Sequence, residues 1–282
     1  MAEFDAADVG RYYDRHTDDF VAHGQGGTVG ALHRAVWAPG VTEAADAFRY
    51  VERRIGEALD ELARADHPPM VLDLGCGVGA SLCYLAERHP MRGIGLTVSP
   101  VQVAHARRRI DAHDLADRLT CLEADFSTPP DSVPSVELAY AIESFVHAPD
   151  PEAFFATCAR LIRPGGRLLV CDDFRRPAAS GQAVRTVEAF RRGWHLNHLI
   201  EGDDLVRLAG AAGFDHERTD DLTPYLRLGR PRDRLIALFI ALFGWLPLDG
   251  TRAGHLVGGN ALHTGLSKGW IGYDLAFFRR RA

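Results

Sequence analysis

The sequence predicts an α/β protein built on a doubly wound, mostly parallel sheet with helices on both faces. Three observations predict it. From residue 70 onward, short apolar runs alternate with amphipathic stretches of helical spacing. A glycine-rich loop joins the first such run to the helix that follows. The first 67 residues show helical spacing instead, and His67-Pro68-Pro69 ends them.

The elements follow in order. Val9–Ala22 and Glu43–Ala65 carry apolar residues three and four apart and are expected as helices, with a break at His23-Gly24-Gln25-Gly26-Gly27 between them. Val71–Leu74 is the first strand and Ser81–Glu87 the helix after it. Gly93–Leu96, Leu119–Glu123, Val136–Ile142 and Arg167–Asp172 are further strands. Pro100–His113 and Pro151–Leu161 are helices among them. Residues 180–200 are polar and aromatic and read as a helical insertion. Asp203–Ala212 is a helix, Phe214–Leu222 a strand and Trp270–Phe278 a last strand. Residues 1–67 are therefore expected as an N-terminal helical region. Residues 68–282 form the main domain, with helical insertions near 176–202 and 230–265. Arg232–Leu246 is apolar on nearly every side, which favours a buried helix or a contact between copies, and so a homo-oligomer.

Composition narrows the partners. With 282 residues the chain buries a full core. Its formal net charge of −6 gives no footprint for a nucleic-acid backbone. No apolar run reaches the roughly 18–20 residues of a membrane span. The N-terminus is polar and does not read as a signal peptide, so a cytoplasmic protein is expected. Cys76, Cys83, Cys121, Cys158 and Cys171 lack C-x-x-C spacing and are expected as buried, reduced thiols, with no metal site.

The loop Asp73-Leu-Gly75-Cys-Gly77-Val-Gly79 lets backbone approach a ligand without Cβ clashes, and the helix start behind it suits an anionic group. Dinucleotide sites are spaced G-x-G-x-x-G, whereas this loop is G-x-G-x-G with an aspartate two residues before its first glycine. It resembles motif I of class I S-adenosylmethionine-dependent methyltransferases. That resemblance implies a Rossmann-like, seven-stranded sheet and places Asp73, Gly75, Gly77 and Gly79 at the cofactor. Gly95-Leu-Thr97-x-Ser99-x-x-Gln102 resembles the cyclopropane-fatty-acid synthase and sterol methyltransferase branch, which implies ribose contacts for Thr97 and Gln102. Asp125 and Phe126, after the third strand, match the family's adenine positions. Arg163-Pro164-Gly165-Gly166 is a further landmark, expected as a turn before the fifth strand.

The acceptor side starts where the fourth strand ends, Ile142-Glu143-Ser-Phe145-Val-His147-Ala148. This stretch resembles the carbon-methylating, sterol methyltransferase-like group, which includes enzymes of prenyl diphosphates. Tyr12-Tyr13-Asp14-x-x-Thr17 resembles the lid of those proteins, which implies that residues 1–67 form a lid and substrate region. The resemblance implies an isoprenoid substrate. Alkene attack on the methyl group leaves a carbocation, which Glu143 would offset and deprotonate. Tyr13, Trp37, Phe145, Trp194 and Tyr225 are the aromatic candidates around it. A diphosphate calls for basic partners, and His33-Arg34, Arg49, Arg53-Arg54 and Lys268 are the candidates, with a bridging Mg2+ left open. The competing reading is an O- or N-methyltransferase of a small secondary metabolite with His147 or His195 as base. A third is a catalytically silent cofactor-binding protein.

Overall fold

The computed structural model describes residues 4–23, 29–30, 32–62, 67–178, 180–229 and 254–282. The first expected helix is α1 (Ala6–His23). The single helix expected over Glu43–Ala65 is instead two, α2 (Ala44–Phe48) and α3 (Tyr50–Asp60). Arg49 separates them at φ −96° and ψ 7°. Its guanidinium reaches back to the Val29 carbonyl at 2.8 Å, so the break serves a long-range contact that helical periodicity does not show.

Seven strands form one sheet: β1 (Met70–Leu74), β2 (Arg92–Thr97), β3 (Leu119–Glu123), β4 (Val136–Ile142), β5 (Ile162–Arg175), β6 (Phe214–Asp221) and β7 (Ile271–Arg280). Their order is β3-β2-β1-β4-β5-β7-β6. The first five are parallel, and β7 runs antiparallel to both its neighbours. Strand order reverses at β1 and β4, and in such sheets ligands gather outside the carboxyl ends of the strands at that point.

The period-two alternation of β1, β4, β5 and β7 feeds two cores. Val71, Leu138, Tyr140, Leu169, Tyr273 and Phe277 face α3, α4 (Ala80–Arg88) and α5 (Pro100–Ala112). Leu72, Leu74, Ala139, Leu168, Val170 and Phe278 face α6 (Pro151–Leu161) and α8 (Gly202–Ala211). A fully buried leucine or phenylalanine contributes about 1.5–3 kcal/mol of transfer free energy, so both helical layers are held mainly by apolar burial.

Strand β5 outruns its expected span at both ends. Arg163–Gly166 does not precede the strand as a separate turn. It forms an irregularity between the pairs Val136↔Ile162 and Leu138↔Arg167, with Gly165 at φ 78°. At the other end, pairing with β7 continues to Arg175↔Ile271 and carries Asp172 and Asp173 into the sheet as strand residues. The insertion expected near 176–202 contains α7 (Gly181–Gly193). Of the one expected near 230–265, the described part is α9, Gly254–Ser267. Arg232–Leu246, and with it the self-contact expectation, lies outside the described residues. Among those residues no helix is long and apolar enough to cross a membrane.

Candidate active site

The glycine loop lies at the carboxyl end of β1. Gly75, Gly77 and Gly79 have φ values of 91°, 52° and 73°, a region that side chains disfavour. The Gly75 and Cys76 amides both donate to the Leu96 carbonyl, at 3.0 and 2.8 Å, which ties the loop to β2. Gly79 opens α4 with no side-chain cap, whereas Ser99, Asp150 and Ser180 cap α5, α6 and α7. The first amides of α4 therefore face the loop without a competing side chain. Asp73 is buried and accepts a hydrogen bond from Tyr140 Oη at 2.8 Å. Burial lifts its pKa to about 7, against the lowering effect of that bond.

At the end of β2, Thr97 Oγ1 donates to Gln102 Oε1 at 2.6 Å, and both residues are buried. This pair leaves the Gln102 amide nitrogen as a donor at the strand end. Asp125 Oδ1 accepts from the Ser127 amide at 2.7 Å, and the Phe126 ring meets Phe154 edge-on at 5.8 Å. An uncapped helix start, a hydroxyl and amide pair, a carboxylate and a ring thus line successive strand ends. That donor set fits the sulfonium nucleoside that the motif implies, which when bound supplies an electrophilic methyl group.

The N-terminal segment closes over these strand ends. Ser99 Oγ donates to Asp14 Oδ1 at 2.6 Å, and a Cβ on Gly10 would stand 3.1 Å from the Val98 carbonyl oxygen. A Cβ on Gly77 would stand 3.4 Å from Leu32, so the segment rests directly on the glycine loop. Next along it, His33 is buried, with Nε2 3.0 Å from Glu52 Oε1. The same oxygen accepts from Arg49 at 2.6 Å and from Ser81 at 3.1 Å. Burial opposes a charge on His33, yet Glu52 more than reverses this and raises its pKa to about 9. Burial likewise opposes the Glu52 charge, but His33 and Arg49 bring that carboxyl down to about 2.

Arg34 crosses the floor of the acceptor side. Its Nη1 and Nη2 donate to Asp173 at 2.8 and 2.7 Å, and its Nε donates to Glu143 Oε1 at 3.1 Å. The guanidinium also lies over the Tyr273 ring, 4.0 Å from the centroid. Glu143 Oε1 accepts as well from the Arg34 amide and from Tyr273 Oη, each at 2.9 Å. Glu143 has φ 50°, an uncommon value for a residue other than glycine, and these bonds hold it there. Burial pushes its carboxyl up, but Arg34 and His33 outweigh that and keep it below the ordinary glutamate range.

His147 stands on the short helical turn Phe145–His147 after β4. Its Nδ1 is 3.1 Å from the His195 carbonyl oxygen, and its Nε2 is 3.0 Å from Tyr13 Oη. A carbonyl only accepts, so Nδ1 carries the proton and Nε2 takes a hydrogen bond from the phenol. Burial lowers the His147 pKa to about 4, which keeps the ring neutral with its basic nitrogen toward Tyr13.

Tyr13, His33, Arg34, Glu143 and His147 thus gather in one place. Trp37 and Tyr225 meet beside each other, the Trp37 amide donating to the Tyr225 carbonyl at 2.8 Å. The Arg227 guanidinium covers the Trp37 ring at 3.1 Å. Trp194 caps α7 against α9. Phe145 stands apart: it is fully buried in the ring cluster with Phe154 and Phe155, at 4.9 and 5.8 Å, so the substrate contact expected of it gives way to core packing. Among the basic candidates, Arg53 and Arg54 bond to carboxylates near the surface, while Lys268 follows α9. Three members of the site were not anticipated. Glu52 shares its helix face with Ile55 and Leu59, and an acid at core spacing was the signal for it. Asp173 follows the apolar run Leu168–Cys171 and Asp172, and two adjacent acids there were its signal. Tyr273 gave no signal, because it arrives from β7.

The fold and the glycine loop define a methyl-transferring Rossmann-like enzyme, and comparison agrees. Residues 71–166 match the family described as a methyltransferase domain. An O-methyltransferase of Pyrenophora dematioidea is 34% identical over 80% of this chain and 82% of its own length. Methyltransferase GfsG of Streptomyces halstedii is 31% identical over 79% of each chain. A solved geranyl diphosphate methyltransferase superposes with a TM-score of 0.76, covering 98% of this chain and 99% of its own at 20% identity, a likeness of fold. The chain belongs to the class I S-adenosylmethionine-dependent methyltransferases.

Proposed function

We propose that this enzyme methylates a hydroxyl oxygen of a small molecule, with His147 as the base. One observation carries the reading: a buried, neutral imidazole whose Nε2 accepts a hydrogen bond from a hydroxyl, that of Tyr13, at 3.0 Å. An acceptor hydroxyl taking that place gives its proton to Nε2 as the oxygen attacks the methyl group. The Nδ1–H bond to the His195 carbonyl fixes the ring and stabilises the cation that results. Thr97, Gln102, Asp125 and Phe126 hold the nucleoside, the glycine loop holds the amino-acid end, and residues 1–67 act as the lid. The relatives carrying the name O-methyltransferase support the same reading.

Carbon methylation of a prenyl diphosphate asks two things these residues do not offer. A carboxylate that is to offset and deprotonate a carbocation serves best uncompensated, and Glu143 is already paired with Arg34. A diphosphate bound directly by side chains needs uncommitted cations, and all three nitrogens of Arg34 are engaged while His33 is paired with Glu52. We assign Glu143 instead to anchoring Arg34 and the lid.

Labelled S-adenosylmethionine offered with a panel of phenols, hydroxylated polyketides and C5–C20 prenyl diphosphates tests the proposal. Label recovered in a methoxy group, lost in His147→Ala and largely kept in Glu143→Gln, is expected. Label on a prenyl carbon, abolished by Glu143→Gln, would overturn it.

A further inference from the structure

We propose that Cys76 and Cys121 form a redox-modification site, in which a peroxide closes a disulfide beneath the glycine loop and switches off cofactor binding. The inference does not depend on which atom is methylated. Cys76 follows Gly75 in the loop, and Cys121 lies on β3. In the sheet β2 runs between β1 and β3, so side chains from these two sites would ordinarily be kept apart. The β2 residue in register with Cys121 is Gly95. A Cβ on Gly95 would stand 2.7 Å from both Cβ and Sγ of Cys76. The missing side chain therefore opens a slot across β2, and through it the two sulfurs approach to 3.5 Å. Both thiols are buried and unbridged.

Access comes from the β3 side. A surface cavity of about 150 Å³ is lined by Arg107, Asp111, Thr120 and Cys121. A water-sized molecule occupies about 30 Å³, so peroxide fits within it. Arg107 donates to the Cys121 carbonyl at 3.2 Å and keeps a positive charge beside that thiol. The contact with the Cys76 thiol lowers the Cys121 pKa, with burial opposing and Arg107 assisting. Cys121, which lines that cavity where Cys76 does not, is the thiol that reacts first. It releases its proton to water, and its thiolate attacks one peroxide oxygen. The O–O bond breaks, and hydroxide leaves and is protonated to water, giving a sulfenic acid. Cys76 then attacks that sulfur, the S–S bond forms, the S–O bond breaks and a second water leaves. Two thiols are oxidised and one peroxide is reduced.

Closure shortens the 3.5 Å separation to about 2.05 Å. Cys76 is built into the loop, since its amide donates to Leu96 and its carbonyl accepts from the Gly79 amide at 2.9 Å. The loop therefore moves with it. Among the described residues Cys76 and Cys121 are the thiols whose sulfurs stand within hydrogen-bond distance of each other; Cys83 is near enough to Cys121 to feel its charge but makes no such contact.

Peroxide treatment followed by alkylation and digestion without reductant is expected to yield a cross-linked peptide pair joining residues 76 and 121, two hydrogens lighter than its parts. Calorimetric titration of the same sample with S-adenosylhomocysteine should show affinity weaker by about tenfold or more, with recovery in dithiothreitol. Cys121→Ala should keep its affinity through the treatment, and Cys83→Ala should lose it as the parent does. If Cys121→Ala does not fold, Cys121→Val makes the same comparison. The proposal fails if no 76–121 cross-link forms, if the cross-linked protein binds undiminished, or if the Cys121 variant is inactivated like the parent.

Discussion

His33 and His147 are both buried, lie on segments that meet at the acceptor side, and are held in opposite states. His33 faces a carboxylate that two further donors fix in place, and it is charged. His147 faces a carbonyl and a phenol, neither of which repays the loss of water around a cation, and it is neutral. Burial penalises the charge equally in kind at both sites, so the partner decides. The difference separates two tasks. A charged histidine locked to Glu52 fastens a segment, and a neutral one presents an unprotonated nitrogen to a hydroxyl.

The contrast breaks most visibly at His147. Replacing it with alanine is expected to lower kcat by about 10²–10⁴-fold, the usual contribution of a positioned base, with binding of S-adenosylhomocysteine unchanged. A loss confined to cofactor binding would make His147 a structural residue and erase the distinction. The matching change on the other side is Glu52→Gln, which leaves His33 and Arg49 buried without their counter-charge. It should cost about 3–5 kcal/mol of stability in urea unfolding, the effect of removing one partner of a buried ion pair. A loss within experimental error would mean that the cluster fastens nothing.

Reading these roles from sequence fails for a definable reason. The residues proposed for the cofactor side could be picked out because they are local to strand ends: Asp73 to Gly79, Thr97 with Gln102, and Asp125 with Phe126 each lie within a few residues of one another. The sheet was legible for the same reason, since alternation and helix spacing are local properties. The acceptor side is made of pairs more than a hundred residues apart, Arg34 with Glu143 and Asp173, Tyr13 with His147, and Tyr273 with Glu143. The local stretch around Glu143 suggested a lone carboxylate, and only the arrival of Arg34 shows it to be neutralised. Phe145 was misplaced because a strand end gives no sign of which face the next side chain takes.

Titration sharpens the contrast further, since the two histidines act on stability in opposite pH ranges. The His33 pKa rises from 6.5 to about 9 on folding, so its contribution is complete below pH 6.5 and is lost as the pH climbs toward 9. The His147 pKa falls from 6.5 to about 4, so the folded state resists its protonation, and stability is lost as the pH drops from 6.5 toward 4. Glu52, brought down from 4.5 to about 2, adds to the acid limb only below about pH 4.5. Unfolding free energies measured at pH 5, 6.5 and 9 should show His33→Gln flattening the alkaline limb and His147→Gln the acid limb. Both variants flattening the same limb would contradict the assignment of charges.

The smallest expected effect tests the seat itself. Tyr13 Oη donates to the His147 nitrogen that, on the proposed function, the acceptor hydroxyl reaches, so phenol and substrate would compete for one lone pair. Tyr13→Phe removes the competitor along with a single neutral hydrogen bond, worth about 0.5–1.5 kcal/mol. If Tyr13 only fills the seat, KM should fall by up to about tenfold while kcat stays within a few-fold of the parent, because an interaction of the resting enzyme has been removed and none of the transition state. If Tyr13 relays the proton, kcat falls as it does in His147→Ala and KM does not improve. The ratio of the two constants therefore separates a place-holder from a participant, and steady-state kinetics on the first accepted hydroxylated substrate measures it.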